Sequence, residues 1–184
     1  MAALQQRMTY DMLQELPEER RELLDGELFV AASPAKKHQL VVKRLERYLD
    51  RAEVAGYGQF WPAPFDVYLD QYNVTQPDLI FVGQQHEDAV HEDRMMGVPD
   101  LLVEILSPST AHIDRGRGRK GKLGIYERFG LPSYWIIDPK NEVISVYTLS
   151  DGRFPAMPVL YRPGDVLTHP LFPDIPIAVG ELFQ

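Results

Sequence analysis

The sequence predicts an α/β fold, an α+β mixed sheet flanked by helices, and three observations carry that prediction. Strand-like runs alternate with segments of helical spacing, a pattern that packs helices onto a sheet. The stretch PDLLVEILSPS, Pro99 to Ser109, is apolar on both parities, as in a strand covered on both faces. Asp25-Gly26 stands between two apolar runs and signals a hairpin, so part of the sheet is antiparallel.

Taken in order, residues 1–8 read as a flexible tail and residues 9–184 as one domain, with no linker long enough to divide it. Thr9 is placed to cap a short helix, TYDMLQEL, stopped by Pro17. Two short strands flank the Asp25-Gly26 turn. From Lys37 to Ala55, Leu40, Val41, Leu45, Tyr48, Leu49 and Ala52 form one helical face, and Gly56 ends it. FWPAPFDVYLD alternates and reads as one strand with a wetter side; TQPDLIFVG reads as the next, with Pro77 at its start. A polar loop, QQHEDAVHEDRMMG, returns the chain to the strand around Glu104. Past Ser109 the chain is polar and glycine-rich up to Gly121. Leu123, Tyr126 and Phe129 then mark a helix ended by Gly130 and Pro132. SYWIIDP and EVISVYTL predict a hairpin turning at Pro139–Glu142, with Tyr134 and Trp135 in the core. The remainder reads as edge strands and irregular cover.

Composition narrows the functional classes. The 184 residues can bury a real core, and no run approaches the ~18 apolar residues that span a bilayer, so no membrane association is expected. Cysteine is absent, which removes disulfides and thiolate metal sites. With no signal-like start, a cytoplasmic location is expected. The net charge of −8 does not itself suggest a nucleic-acid binder, and it does not exclude one, because the local field decides. One local exception exists: Arg115, Arg117, Arg119, Lys120 and Lys122 fall close together. Such runs are often no more than solvated loops.

Glu104 poses the main question. A carboxylate among Leu101, Leu102, Val103, Ile105 and Leu106 loses several kcal/mol of hydration, roughly, unless something compensates it. A simple salt bridge is one answer; a metal ligand or an acid–base group is the sharper one. Asp78 opens the preceding strand, and neighbouring strands lie ~4.8 Å apart, so the two carboxylates can share a patch if their registers agree. They would repel, and Mg²⁺ or Mn²⁺ would remove the conflict. A site of this kind polarises a phosphodiester and acidifies a bound water. Lys122, at the start of the following helix, would orient the water or offset charge on phosphorus.

PDL, then VEILSPST, then Lys122 and Tyr126, then SYWIIDP, resembles the Uma2 family, also called DUF820, within the PD-(D/E)xK nucleases. RELLDGEL, SPAKKHQLVVKRL and LFPDIPIAVGELF extend the resemblance from Tyr10 to Phe183. It implies a restriction-endonuclease-like core, with Asp78 and Glu104 as metal ligands. The lysine of the wider pattern would stand two residues after Glu104, where this chain has Leu106. In Uma2-like chains it lies on the next helix; Lys122 fits by its spacing to Tyr126, and Lys120 is the alternative.

Accessory candidates are His38 at a helix start, Glu22 and Glu27 beside the Asp-Gly turn, Ser107 and Ser109 as caps, and Asp114 as a cap or partner of the arginines. Asp100 rivals Asp78 as the second carboxylate. Arg115, Arg117, Arg119 and Lys120 are candidate phosphate contacts on a loop that Gly116, Gly118 and Gly121 keep flexible. The expected function is a metal-dependent endonuclease with nucleic acid, DNA first, as substrate, working as a homodimer if both strands are cut. The alternative is a nuclease-like fold that binds nucleic acid or protein without hydrolysis. A nucleotide hydrolase finds no phosphate loop or nucleophile elbow to support it.

Overall fold

The computed structural model describes residues 7–17, 20–30, 33–108 and 110–184. Residues 1–6 of the expected tail, and Ser109 among the site candidates, lie outside these. Arg7 and Met8 are bonded to the turn at Asp25 and Gly26.

The chain runs α1 (Tyr10–Gln14), β1 (Arg21–Leu24), β2 (Glu27–Val30), α2 (Lys36–Val54), β3 (Gly58–Pro62), β4 (Asp66–Asp70), β5 (Asn73–Thr75), β6 (Leu79–Gly83) and a 3₁₀ turn at Gln84–Ala89. It continues through β7 (Arg94–Met96), β8 (Leu101–Ile105), α3 (Ala111–Asp114), α4 (Lys122–Phe129), β9 (Ser133–Asp138) and β10 (Val143–Thr148). The tail holds β11 (Val159–Tyr161), β12 (Val166–Leu167), β13 (Ile177–Ala178) and a 3₁₀ turn at Val179–Leu182.

Two larger sheets organise these elements. A six-stranded mixed sheet has the order β11-β10-β9-β8-β6-β3; a five-stranded one has the order β2-β1-β5-β4-β7. β8 lies between antiparallel β6 and parallel β9, and all five of its residues are buried. Its two parities enter different cores. Leu101, Val103 and Ile105 meet Val41, Leu45 and Leu49 of α2, together with Phe172, Ile177 and Leu182 of the tail. Leu102 faces Leu123 and Tyr126 of α4 and Val67 and Met95 of the second sheet. Glu104 has the parity of Leu102 and projects to the α4 side. Tyr134 and Trp135 are fully buried, one in each core.

Several local expectations change. FWPAPFDVYLD is two strands in different sheets: β3 pairs with β6, and β4 with β5 and β7. The cause is Pro62 and Pro64, which donate no N–H to a continuing ladder. The polar return after β6 hides a 3₁₀ turn and β7, whose single buried residue, Met95, is too little pattern to announce a strand. Thr9 precedes α1 with extended backbone, but its side chain makes no capping bond. In α2 the buried face includes His38 and leaves Leu40 only partly covered.

The glycine-rich segment is packed rather than loose. Gly121 lies against the backbone of Gly116, and a Cβ there would sit 2.3 Å from the Gly116 carbonyl carbon; at Gly124 it would sit 2.4 Å from the Arg117 carbonyl oxygen. Gly118 has open space around it. Gly121→Ala is therefore expected to cost about 1–3 kcal/mol, by analogy with overpacked sites, and Gly118→Ala less than about 0.5 kcal/mol. Urea unfolding midpoints of the two variants check this; equal midpoints would contradict the packing.

Candidate active site

β6 and β8 pair antiparallel with Leu79 opposite Val103 and Ile80 opposite Leu102. One step further along that register, Asp78 stands opposite Glu104. Cross-strand neighbours share a face, with Cβ atoms roughly 4.5–5.5 Å apart. Asp78 Oδ2 accepts the backbone N–H of Ile105 at 2.7 Å, which fixes its carboxylate beside β8.

Four further elements converge on this pair. α4 begins at Lys122, whose Nζ lies 2.7 Å from Glu104 Oε1, 2.9 Å from Glu22 Oε1 and 3.5 Å from Asp114 Oδ1. Glu22 comes from β1 and also accepts the Gln76 N–H. Asp114 ends α3; its Oδ2 accepts from Thr110, while Oδ1 is buried with no hydrogen-bond partner. α2 supplies His38, whose Nε2 lies 3.0 Å from Asp78 Oδ2. A carboxylate only accepts, so Nε2 carries the proton. Arg20, just before β1, donates to Asp78 Oδ1 at 2.7 Å and to the Gln76 carbonyl. Asp78, Glu104 and Lys122 are each 3–4 % exposed.

Electrostatics divides the carboxyls. Burial pushes Glu104 well above the usual carboxyl range; Lys122 opposes the shift, and Asp114, Asp78 and Glu22 reinforce it. Asp114 is also raised, chiefly by burial. Burial alone would raise Asp78 too, but His38, Arg20 and the Ile105 N–H together hold it low. Burial would discharge Lys122, but Glu104, Glu22 and Asp114 outweigh that and keep it protonated. Four carboxyls thus face the fixed cations Lys122 and Arg20, and one imidazole.

That surplus of acid is the observation against which a divalent cation is tested. Asp78, Glu104, Asp114, Lys122, Arg20 and His38 all line a cavity of about 30 Å³, room for a small ion or a water. Among the described residues no three His, Asp or Glu side chains are disposed to hold a metal by themselves. Mg²⁺ ordinarily takes one or two carboxylates and fills its remaining positions with water and phosphate oxygens. Asp78 and Glu104 are the two carboxylates that could supply such a site, and an ion there would have to displace Arg20 from Asp78.

The other candidates fall elsewhere. Asp100, the rival carboxylate, accepts the Gly83 N–H and bonds His86, well away from Glu104 along β8. Glu27 lies on the far side of the Asp25-Gly26 turn, paired with Lys120. Ser107 lines the cavity and its hydroxyl meets Thr110. Asp114 neither answers the arginines nor caps α4, because it is buried against Lys122. In the basic loop Arg115 pairs with Asp138, Arg117 with Glu127, and Arg119 with Asp25. Sequence reasoning missed Arg20 and Thr110. Arg20 lies in EERREL, a charge run that looks like any solvated surface, and only the fold brings it onto Asp78.

Comparison with known proteins adds three findings. A family model, Uma2, described as "Putative restriction endonuclease", matches residues 7–180. A crystal structure of "a putative nuclease belonging to DUF820" from Anabaena variabilis superposes with a TM-score of 0.77 at 18% identity, covering 96% of this chain and 97% of that one. That likeness shows the fold. No curated protein matches the chain.

The raised Glu104 carboxyl has a consequence for stability. A group protonated more readily when folded than unfolded stabilises below its ordinary value of 4.5, and that contribution is lost as pH rises through the raised folded value. In EDTA, the native chain should therefore lose stability relative to Glu104→Gln as pH rises above 4.5, on top of the pH-independent cost of taking a charged partner from Lys122. Urea midpoints against pH read this, and a gain in the opposite direction would show that Glu104 is held as a stabilised carboxylate.

Proposed function

The chain belongs to the Uma2 family, and from that membership and the acidic cluster around Lys122 we propose that it is a metal-dependent endonuclease acting on nucleic acid, with DNA as the first candidate. The observation that carries the reading is the register that sets Asp78 opposite Glu104 on one face, with a charged lysine 2.7 Å from Glu104.

In this reading Asp78 and Glu104 hold a Mg²⁺ or Mn²⁺ ion, which when bound supplies an acidified water and a polarised phosphodiester. The protein's own groups do the rest. The Ile105 N–H and the His38 Nε2–H orient Asp78 and keep it ionised. Lys122 remains protonated throughout, so it acts as a fixed positive charge that offsets charge growing on phosphorus. Glu22 and Asp114 hold Lys122 in place beside Glu104. Thr110 and Tyr126 are further polar contacts of Asp114 and Glu104.

A second reading, a nuclease-like fold that binds without hydrolysing, has one observation in its favour. Both oxygens of Asp78 are already engaged, by Arg20, His38 and the Ile105 N–H, so an ion must compete with Arg20.

Calorimetry with Mn²⁺ and nicking of supercoiled plasmid separate the two. The native chain is expected to bind Mn²⁺ and to nick only with metal; Glu104→Ala should lose both. Lys122→Met should retain metal binding and lose at least about 100-fold in nicking, the scale of one lost charge-stabilising donor. Metal binding without cleavage selects the binding module, and no Mn²⁺ binding by the native chain removes the ligand assignment.

A further inference from the structure

A groove of about 950 Å³ opens directly beside the acidic cluster and shares Arg20, His38, Pro34 and Asp78 with it. Its lining carries the cations Arg20, Arg21 and Lys43 and the acids Glu46 and Asp78. Its apolar lining comes from Pro34, Val42, Pro62, Ala63 and Pro64.

Two cations of this groove, Arg21 and Lys43, differ from those of the loop 115–120 in one respect. Arg115, Arg117, Arg119 and Lys120 are each paired with a carboxylate of the protein. Among the described residues Arg21 and Lys43 enter no ion pair. Arg21 Nη1 and Arg20 Nε are buried with no hydrogen-bond partner, a costly arrangement for guanidinium nitrogens. An anion in the groove would meet the remaining guanidinium edge of Arg21 and the ammonium of Lys43, which no carboxylate of the described residues neutralises.

We infer that this groove, and not the arginine loop, holds the substrate backbone, and that it takes a single-stranded nucleic-acid segment whose phosphates meet Arg21 and Lys43. This rests on the nucleic-acid reading above and extends it. A single strand offers phosphates to the cations and the apolar faces of sugar and base to the prolines and Val42, the combination that strand-binding grooves use. A paired duplex stacks its base faces inward, away from the prolines, so an unpaired segment, such as negative supercoiling opens in a plasmid, matches the lining better. Arg20 links the groove to the cluster, because it borders both cavities and bonds Asp78.

The test is fluorescence anisotropy of a labelled single-stranded oligonucleotide in EDTA, with a duplex of the same sequence beside it, over a range of salt. Native protein should bind the single strand at least about fivefold more tightly than the duplex. Arg21→Gln with Lys43→Gln should weaken binding at least about tenfold and flatten the log–log salt slope by about 1.4, two phosphates at ~0.7 each. Arg117→Gln with Arg119→Gln should change affinity less than about twofold. Lys43→Glu, at an exposed helix position, gives the same direction without threatening the fold, and thermal midpoints control for stability. If the native chain binds and the loop variant, not the groove variant, loses affinity, the groove assignment fails while the nucleic-acid reading stands. Tighter duplex binding overturns the single-strand assignment. If native protein binds neither probe, the nucleic-acid reading fails with it.

Discussion

Everything in this molecule's site depends on one buried ammonium. Lys122 is almost fully covered, yet three carboxylates lie within 3.5 Å of its Nζ. Removing one partner from such a cluster leaves an uncompensated buried charge, which costs about 3–5 kcal/mol in comparable buried pairs. Glu104 is tolerated in an apolar strand because Lys122 sits on it. Lys122 is tolerated because Glu104, Glu22 and Asp114 hold its proton. The acid still exceeds the base, and that excess sets the site apart from an ordinary buried salt bridge.

The architecture exists to bring these groups together from distant parts of the chain. Glu22 and Arg20 arrive with β1, His38 with the start of α2, Asp78 and Glu104 on adjacent strands, Asp114 and Lys122 on successive helices. The six-stranded sheet gives the carboxylates a rigid base, since β8 is flanked on both sides and covered on both faces. Tight contacts among Gly116, Gly121, Gly124 and Arg117 then seat the start of α4, and with it Lys122, over Glu104. A groove of about 950 Å³ opens beside the cavity and shares Arg20, Pro34, His38 and Asp78 with it.

Much of this was legible in the sequence, for identifiable reasons. A glutamate in LLVEIL announces itself because five apolar neighbours make its cost plain. PDLIFV placed Asp78 at a strand start, and the spacing to Tyr126 favoured Lys122 over Lys120, which the structure finds exposed and paired with Glu27. The mixed sheet, the main helix and the Asp25-Gly26 hairpin followed from periodicity and turn chemistry. What stayed hidden depends on tertiary contact. Nothing local marks Arg20 as the partner of Asp78, or Asp100 as the acceptor of the Gly83 N–H. The split between β3 and β4 was obscured because alternation continues across Pro62 and Pro64 while the two halves pair with different sheets. The loop arginines read as free cations because their acidic partners, Asp138, Glu127 and Asp25, lie far away in sequence.

The central claim is that Asp78 and Glu104 jointly accept a divalent ion in place of their present counter-charges. The most direct measurement is a crystal structure of the protein soaked in Mn²⁺, read by anomalous scattering. The account predicts one strong peak between β6 and β8, bonded to an oxygen of each carboxylate, with the Arg20 guanidinium displaced from Asp78. A well-ordered site with Arg20 still on Asp78 and no anomalous density between the two strands would contradict it.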